Sequence, residues 1–282
     1  RRHPVGAGQV DLVFHVFDSE WAMEIIRGVE TYLSAAGVQL VLSQLRGAHR
    51  PPQEWLDGVL GRRPVGLLFV ICGPSPDQQE QLRRQRIPFV VIDQDSATEA
   101  WVPTVGCNNW NGGLLAANHL LELGHRRTAV ISGSEGLQCS RHRVAGFEFA
   151  HHERGVAIDP DFILYGNFWV DAGYELGMRL LSREDRPTAI FAGSDMQALG
   201  VMRAARRLGL DVPRDLSVIG YDNLPVARWA DPELTTVNQP LVDMARTAAR
   251  MLLDLARGVD LSTRRVDLVT ELVTRESTAP PR

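Results

Sequence analysis

The sequence predicts an α/β protein made of two doubly wound parallel-sheet subdomains. Three observations carry that expectation. Short apolar runs of strand length alternate with amphipathic helical stretches along all 282 residues. The helical stretches stop at glycines (Gly37, Gly124, Gly155, Gly209 and Gly258), the residue best suited to a left-handed helix end. The alternation restarts after Gly124, and at roughly 100–200 residues per domain the chain holds about two.

In the first series Val10–Phe17 is an apolar strand run. Trp21–Ala36 follows with Ile25, Ile26, Val29 and Leu33 at helical spacing. Gln39–Ser43 reads as a strand and Gln53–Leu60 as a short helix. Gly66–Cys72 is a buried strand inside Val65–Cys72, the longest apolar run. Asp77–Gln85 is a polar helix, Phe89–Asp93 and Thr104–Cys107 are strands, and Asn111–Leu123 is a helix. The second series runs from strand Arg127–Ser132 to helix Ser140–Arg154, strand Phe162–Tyr165 and helix Asp171–Ser182. Strand Thr188–Ala192, helix Asp195–Leu208 and strand Leu216–Gly220 complete it. Thr235–Val237 is a short extended segment. Helix Leu241–Arg257 is out of sequence with the second series, which suggests a return to the first subdomain. Arg265–Arg275 closes the chain as one or two strands. The expected division is 9–123 plus 240–265 for the first subdomain, and 124–239 plus 266–282 for the second.

Composition narrows the function classes. Hydrophobic residues are 44% and charged residues 23%, which excludes a disordered or fibrous chain. No apolar run approaches the ~20 residues of a membrane helix. The net charge of −4 is too balanced for a protein that holds nucleic acid by its whole surface. Every basic residue other than histidine is arginine. The chain opens Arg1-Arg2-His3-Pro4, without Met or an apolar signal core, and reads as a fragment or a trimmed chain. Cys72, Cys107 and Cys139 are odd in number and lack metal-ligand spacing, as expected of reduced thiols in the cytoplasm. No metal and no cofactor are expected: neither a phosphate-loop motif nor a dinucleotide fingerprint follows a strand.

In open α/β sheets ligands sit beyond the carboxyl ends of the strands. The residues there include Asp18–Trp21, Cys72–Ser75, Asp93–Ser96, Asn108–Asn111, Ser132–Arg143, Asn167–Trp169, Gly193–Asp195, Tyr221–Asn223 and Asn238–Gln239. They combine polar forks with aromatic rings. That mixture suits a sugar, whose hydroxyls need donors and acceptors and whose C–H face needs a flat apolar surface. Loop capping is the competing reading for each residue alone.

Four segments resemble the LacI/GalR family of transcriptional regulators. They are Leu120-Leu121-Glu122-Leu123-Gly124-His125-Arg126-Arg127 before a strand, Pro187–Gly200 with its Ala192-Gly193-Ser194-Asp195 turn, Leu216–Asn223, and Leu234–Pro240. The resemblance runs from about Val10 to Ser277. It is nearest to an actinobacterial set linked to xylose, xylan or cellobiose. That set shares an Asp-Ser-x-Trp-Ala turn, a His-Arg-Pro…Trp-Leu-Asp-Gly stretch and an Asn-Trp-x-Gly-Gly turn. The family implies a type I periplasmic-binding-protein-like effector domain with three crossovers, a homodimer, and an N-terminal helix-turn-helix that reads operator DNA. The segment before Val10 is too short for that headpiece, so operator binding is expected only through a part absent here.

The resemblance also implies ligand positions: Asp18 and Trp21 after the first strand, Trp110 and Asn111 at a helix start, and Arg143 as a fork for vicinal hydroxyls. Phe168 follows the Gly166-Asn167 turn. Ser194 and Asp195 stand where the family often has Asn-Asp. Asp222 and Gln239 complete the set. For Arg143 the competing reading is a helix-end salt bridge, for Asp222 a turn cap, for Trp21 core packing.

The leading expectation is a sugar-sensing effector domain of a cytoplasmic repressor, taking a pentose, hexose or short oligosaccharide between its subdomains and thereby controlling operator binding. The alternative is a periplasmic sugar-binding protein for transport. An enzyme is disfavoured: His15, His119, His125, His142, His151 and His152 are candidate bases, but no nucleophile–base–acid set emerges.

Overall fold

A computed structural model describes residues 8–94 and 101–282. Arg1–Pro4 and, of the strand-end residues, Asp95 and Ser96 lie outside them. The chain divides into two compact units, one formed by the residues up to Cys107 with Pro240–Leu268, the other by Asn108–Gln239 with Val269–Arg282.

In unit 1, β1 (Gln9–Phe14), α1 (Glu20–Ala35), β2 (Gln39–Gln44), α2 (Gln53–Arg62), β3 (Gly66–Val70), α3 (Pro76–Arg84), β4 (Phe89–Ile92) and β5 (Thr104–Cys107) follow one another. The sheet order is β2-β1-β3-β4-β5 with β11 (Arg265–Leu268) on the β5 edge, and every pairing is parallel. Local chemistry sets the helix starts. Ser19 caps α1 by accepting the Ala22 N–H. Ser75 and Gln78 form a reciprocal capping box on α3, with Pro76 at the first helical position. The late helix α9 (Leu241–Arg257) packs its apolar face on α1 and on β3–β5. A Cβ on Gly28 would lie 2.6 Å from the Val242 carbonyl oxygen, so only glycine lets α1 and α9 approach this closely.

Unit 2 contains α4 (Asn109–Glu122), β6 (Thr128–Ser132), α5 (Gln138–Glu153), β7 (Ile163–Tyr165), α6 (Val170–Leu181), β8 (Ala189–Ala192), α7 (Asp195–Arg207), β9 (Ser217–Asp222), α8 (Val226–Trp229) and β10 (Thr235–Asn238). Its sheet order is β7-β6-β8-β9-β10, closed by antiparallel β12 (Glu271–Val273). The closing segment thus splits: β11 pairs in one sheet and β12 in the other. All five glycine stops adopt positive φ, from 64° at Gly155 to 102° at Gly124.

The first boundary differs from expectation. The sequence expectation places residues 108–123 in the first subdomain, yet α4 belongs to unit 2. The cause is its Gly112-Gly113 pair. A Cβ on Gly113 would lie within 1.9 Å of the Arg143 carbonyl oxygen, and one on Gly146 within 1.9 Å of the Trp110 carbonyl oxygen. The two helices cross glycine against backbone, and that bond to α5 outweighs sequence adjacency to β5. The last boundary also moves, to 268/269, because β11 stays with unit 1.

Candidate functional site

The carboxyl ends of β6, β8 and β9 converge on Arg143, in the second turn of α5. Its side chain is 3% exposed. Nε donates to Asn109 Oδ1 at 2.8 Å, Nη1 to the Gly193 carbonyl at 2.5 Å, and Nη2 reaches Gln239 Oε1 at 3.4 Å. All three acceptors are neutral. The guanidinium carbon sits 3.5 Å from the centre of the Tyr221 ring and 5.3 Å from that of Phe168. Tyr221 is fully buried, packs on Gly112, and donates its hydroxyl to the same Asn109 oxygen at 3.2 Å. The fork is therefore fixed in position by α4, α5, β8 and β9 together, with its charge held over a ring face.

Phe168 gives the site a flat wall. Its backbone is left-handed, φ 66°, which is uncommon for an aromatic residue. A Cβ on Gly133 would lie 2.1 Å from a Phe168 ring carbon, so the ring lies directly on the β6 end. Ser194 holds this turn: its hydroxyl donates to the Phe168 carbonyl at 2.7 Å and accepts the Gln197 N–H at 3.0 Å. Its only proton is committed there, which makes it a positioning residue for Phe168. Asp222 ends β9 at φ 103° and is 6% exposed, and its carbonyl accepts the Gln239 N–H.

Asp195 departs from the expectation of a ligand contact. It is fully buried, and both carboxylate oxygens meet internal donors: Thr236 Oγ1 at 2.5 Å and the Leu224 N–H at 2.7 Å. It braces the β9–α8 turn against β10. Burial pushes its carboxyl up to about 7, against the opposing pull of Thr236, the backbone donors and the Arg275 charge. A raised folded value above 3.8 gives a stability contribution present at low pH and lost as pH rises through about 7. Half-buried His119 and buried His125 and His151 are shifted down by burial, so they act oppositely, favouring the fold above their ordinary value. The expected result is that Asp195→Asn gains stability relative to the wild type as pH rises from 5 to 8. Denaturant melts of both proteins at each pH check this; parallel curves would remove Asp195 as the titrating group.

The remaining expected residues fall in two places. Trp110 and Asn111 open α4 beside Asn109. Trp110 packs on Phe149 with ring centres 5.1 Å apart, and the Asn111 amide donates to Thr270 Oγ1 at 3.2 Å. Asp18 and Trp21 belong to unit 1: Asp18 is exposed after β1, and Trp21 is half-buried in the first turn of α1. Two further members of the cluster, Asn109 and Tyr221, fall in the strand-end stretches Asn108–Asn111 and Tyr221–Asn223 but are not among the ligand positions that the resemblance implies; the Tyr221 hydroxyl, needing a partner once buried, is the signal that singles it out. Three candidate bases prove to be structural. His125 lies 2.9 Å from both Thr188 Oγ1 and the Ala279 carbonyl, His151 2.6 Å from Thr128 Oγ1, and His119 2.9 Å from Thr278 Oγ1.

Residues 117–278 match the family of periplasmic binding protein-like domains. The repressor PurR of Erwinia tasmaniensis is 35% identical over 264 residues, covering 93% of this chain and 77% of that protein. The repressor CytR of Escherichia coli is 33% identical over 256 residues, covering 90% and 74%. The chain belongs to the LacI family. The solved complex of the transcriptional regulator CelR with cellobiose superposes with a TM-score of 0.85 at 32% identity, over 95% of this chain and 84% of that one. The fold is therefore type I periplasmic-binding-protein-like. LacI-family membership makes this chain the small-molecule effector domain of a transcriptional repressor, neither an enzyme nor a transport protein. No described helix is long and apolar enough to cross a membrane.

Proposed function

We propose that the effector is a sugar, a pentose, hexose or short oligosaccharide, and that Arg143, Asp222 and Gln239 bind its hydroxyls beside the Phe168 ring. The observation that carries this reading is the Arg143 guanidinium, held by Asn109, Gly193 and Gln239 next to an aromatic wall at the strand ends. A fork suits vicinal hydroxyls, and the ring suits C–H faces. The cellobiose complex of CelR supports a glucose- or xylose-based ligand of the xylose, xylan or cellobiose type. Trp110 and Asn111 in unit 2, with Asp18 and Trp21 in unit 1, are the further contacts of this reading. Sugar binding favours one conformation and so releases a cytoplasmic repressor from its operator, by a coupling of ~1–3 kcal/mol. Thermal-shift screening against xylose, xylobiose, glucose, cellobiose and ribose, with a purine base as non-sugar control, tests it. Stabilisation by the purine alone would replace the sugar reading.

The same reading includes a homodimer. The Met23 side chain on α1 and Trp229 on α8 are 55% and 74% exposed, apolar surface suited to a second copy. The apolar face of α9 is already covered inside unit 1. Sedimentation at micromolar concentration is expected to give twice the 31.3 kDa chain mass; a clean monomer would contradict it.

A further inference from the structure

At the amino ends of the unit 2 strands, the opposite end of the sheet from Arg143, lies a recess of about 250 Å3. Arginines from four separate segments line it: Arg127 before β6, Arg186 before β8, Arg214 before β9, and Arg282. Two carboxylates, Glu184 and Asp215, share the lining. Asp215 is already engaged. It accepts the Asp211 N–H at 3.0 Å and lies 3.4 Å from Arg214 and 4.0 Å from Arg282, and these contacts hold it below the usual carboxylate range. Arg186 is anchored through the Asp215 backbone carbonyl at 3.0 Å. Arg214 also pairs with Asp211, outside the recess, and Asp185, within electrostatic reach of Arg127, is bound by Arg183. His125 is 1% exposed, and burial keeps its ring neutral. The lining therefore holds more positive than negative charge, on partly preorganised forks.

We propose that this recess binds the phosphate group of a small phosphorylated molecule. Guanidinium forks match the paired oxygens of a phosphate, and four of them converging from different segments supply the charge for a dianion. The volume exceeds several times the ~30 Å3 share of one water, leaving room for more than a bare phosphate. None of its residues belongs to the Arg143 cluster, so the proposal stands independently of the sugar reading.

Titration calorimetry with pyrophosphate at about 20 mM salt tests it, with citrate as the phosphate-free polyanion. Pyrophosphate is expected to bind, with affinity falling as salt rises. The exposed pair Arg127→Gln with Arg214→Gln is expected to weaken binding about ten-fold or more. Arg83→Gln with Arg84→Gln, an equal charge loss on α3, is expected to leave binding unchanged. Where the first pair lowers the melting temperature, Arg127→Gln alone replaces it. No binding at millimolar pyrophosphate, equal loss in both pairs, or citrate binding as tightly as pyrophosphate would overturn the proposal.

Discussion

Arg143→Ala is expected to reduce sugar affinity by roughly 10–150-fold, a loss of ~1.5–3 kcal/mol. The guanidinium is the most constrained donor at the strand ends, with Asn109, Gly193 and Gln239 each fixing one nitrogen. Its removal leaves ligand hydroxyls without their forked donor. It also takes a donor from three buried acceptors, of which Asn109 Oδ1 keeps the Tyr221 hydroxyl, so melting temperature falls as well. Arg143→Lys separates the two effects: it retains the charge but lacks the planar fork that donates from separate nitrogens in fixed directions. Affinity is expected to fall in Arg143→Lys with a smaller change in stability. Asp222→Asn costs less than Arg143→Ala, since Asn tolerates the left-handed backbone and keeps the shape. Calorimetry with the stabilising sugar, beside melts of the unliganded proteins, reads both quantities. Wild-type affinity in Arg143→Lys and Arg143→Ala would make Arg143 purely structural.

The second large effect is expected at the α4–α5 crossing. Gly146→Ala places a methyl within 1.9 Å of the Trp110 carbonyl oxygen and 2.9 Å from the Leu114 nitrogen, both backbone atoms that cannot rotate away. The helices must separate. Overpacking of this kind costs about 3 kcal/mol. At about 2–4 °C per kcal/mol for a domain of this size, the melting temperature falls by on the order of 10 °C. Gly136→Ala is the control, because its nearest neighbour is Ser134 Oγ at 3.6 Å. The same shift in both variants would show that the crossing is not tight. Arg143 and Asn109 ride on these helices, so Gly146→Ala also weakens ligand binding without touching a ligand contact.

Much of the architecture was legible because local chemistry and global fold agree. Gly37, Gly124, Gly155, Gly209 and Gly258 end helices for a backbone reason visible one residue at a time. The return of the chain at Pro240 showed as a helix out of order. The place of α4 was hidden because it depends on which faces of two helices meet, and nothing local to Gly112 and Gly113 shows that Tyr221 and Arg143 lie against them. At the site, strand ends pointed to Arg143, Phe168 and Gln239. Asp195 looked equivalent to them because a turn carboxylate has the same appearance whether it faces solvent or a buried threonine. Its partners, Leu224 and Thr236, lie 29 and 41 residues away.

The division of both sheets among distant segments bears on synthesis. When the ribosome has delivered residues through β10, unit 1 still lacks α9 and β11, so the Gly28 face of α1 and the β5 edge have no cover. Unit 2 still lacks β12 and the Ser277 hydroxyl, which donates to the Val218 carbonyl and accepts the Thr235 N–H. Neither half can complete its hydrogen-bonded framework until residues beyond Asn238 are made, however early its first strands emerge. Vectorial folding, the ordinary escape from interdomain misassembly, is thereby postponed for both halves until the chain has passed β10. A premature stop after Asn238 yields two open sheets rather than one finished domain and a tail.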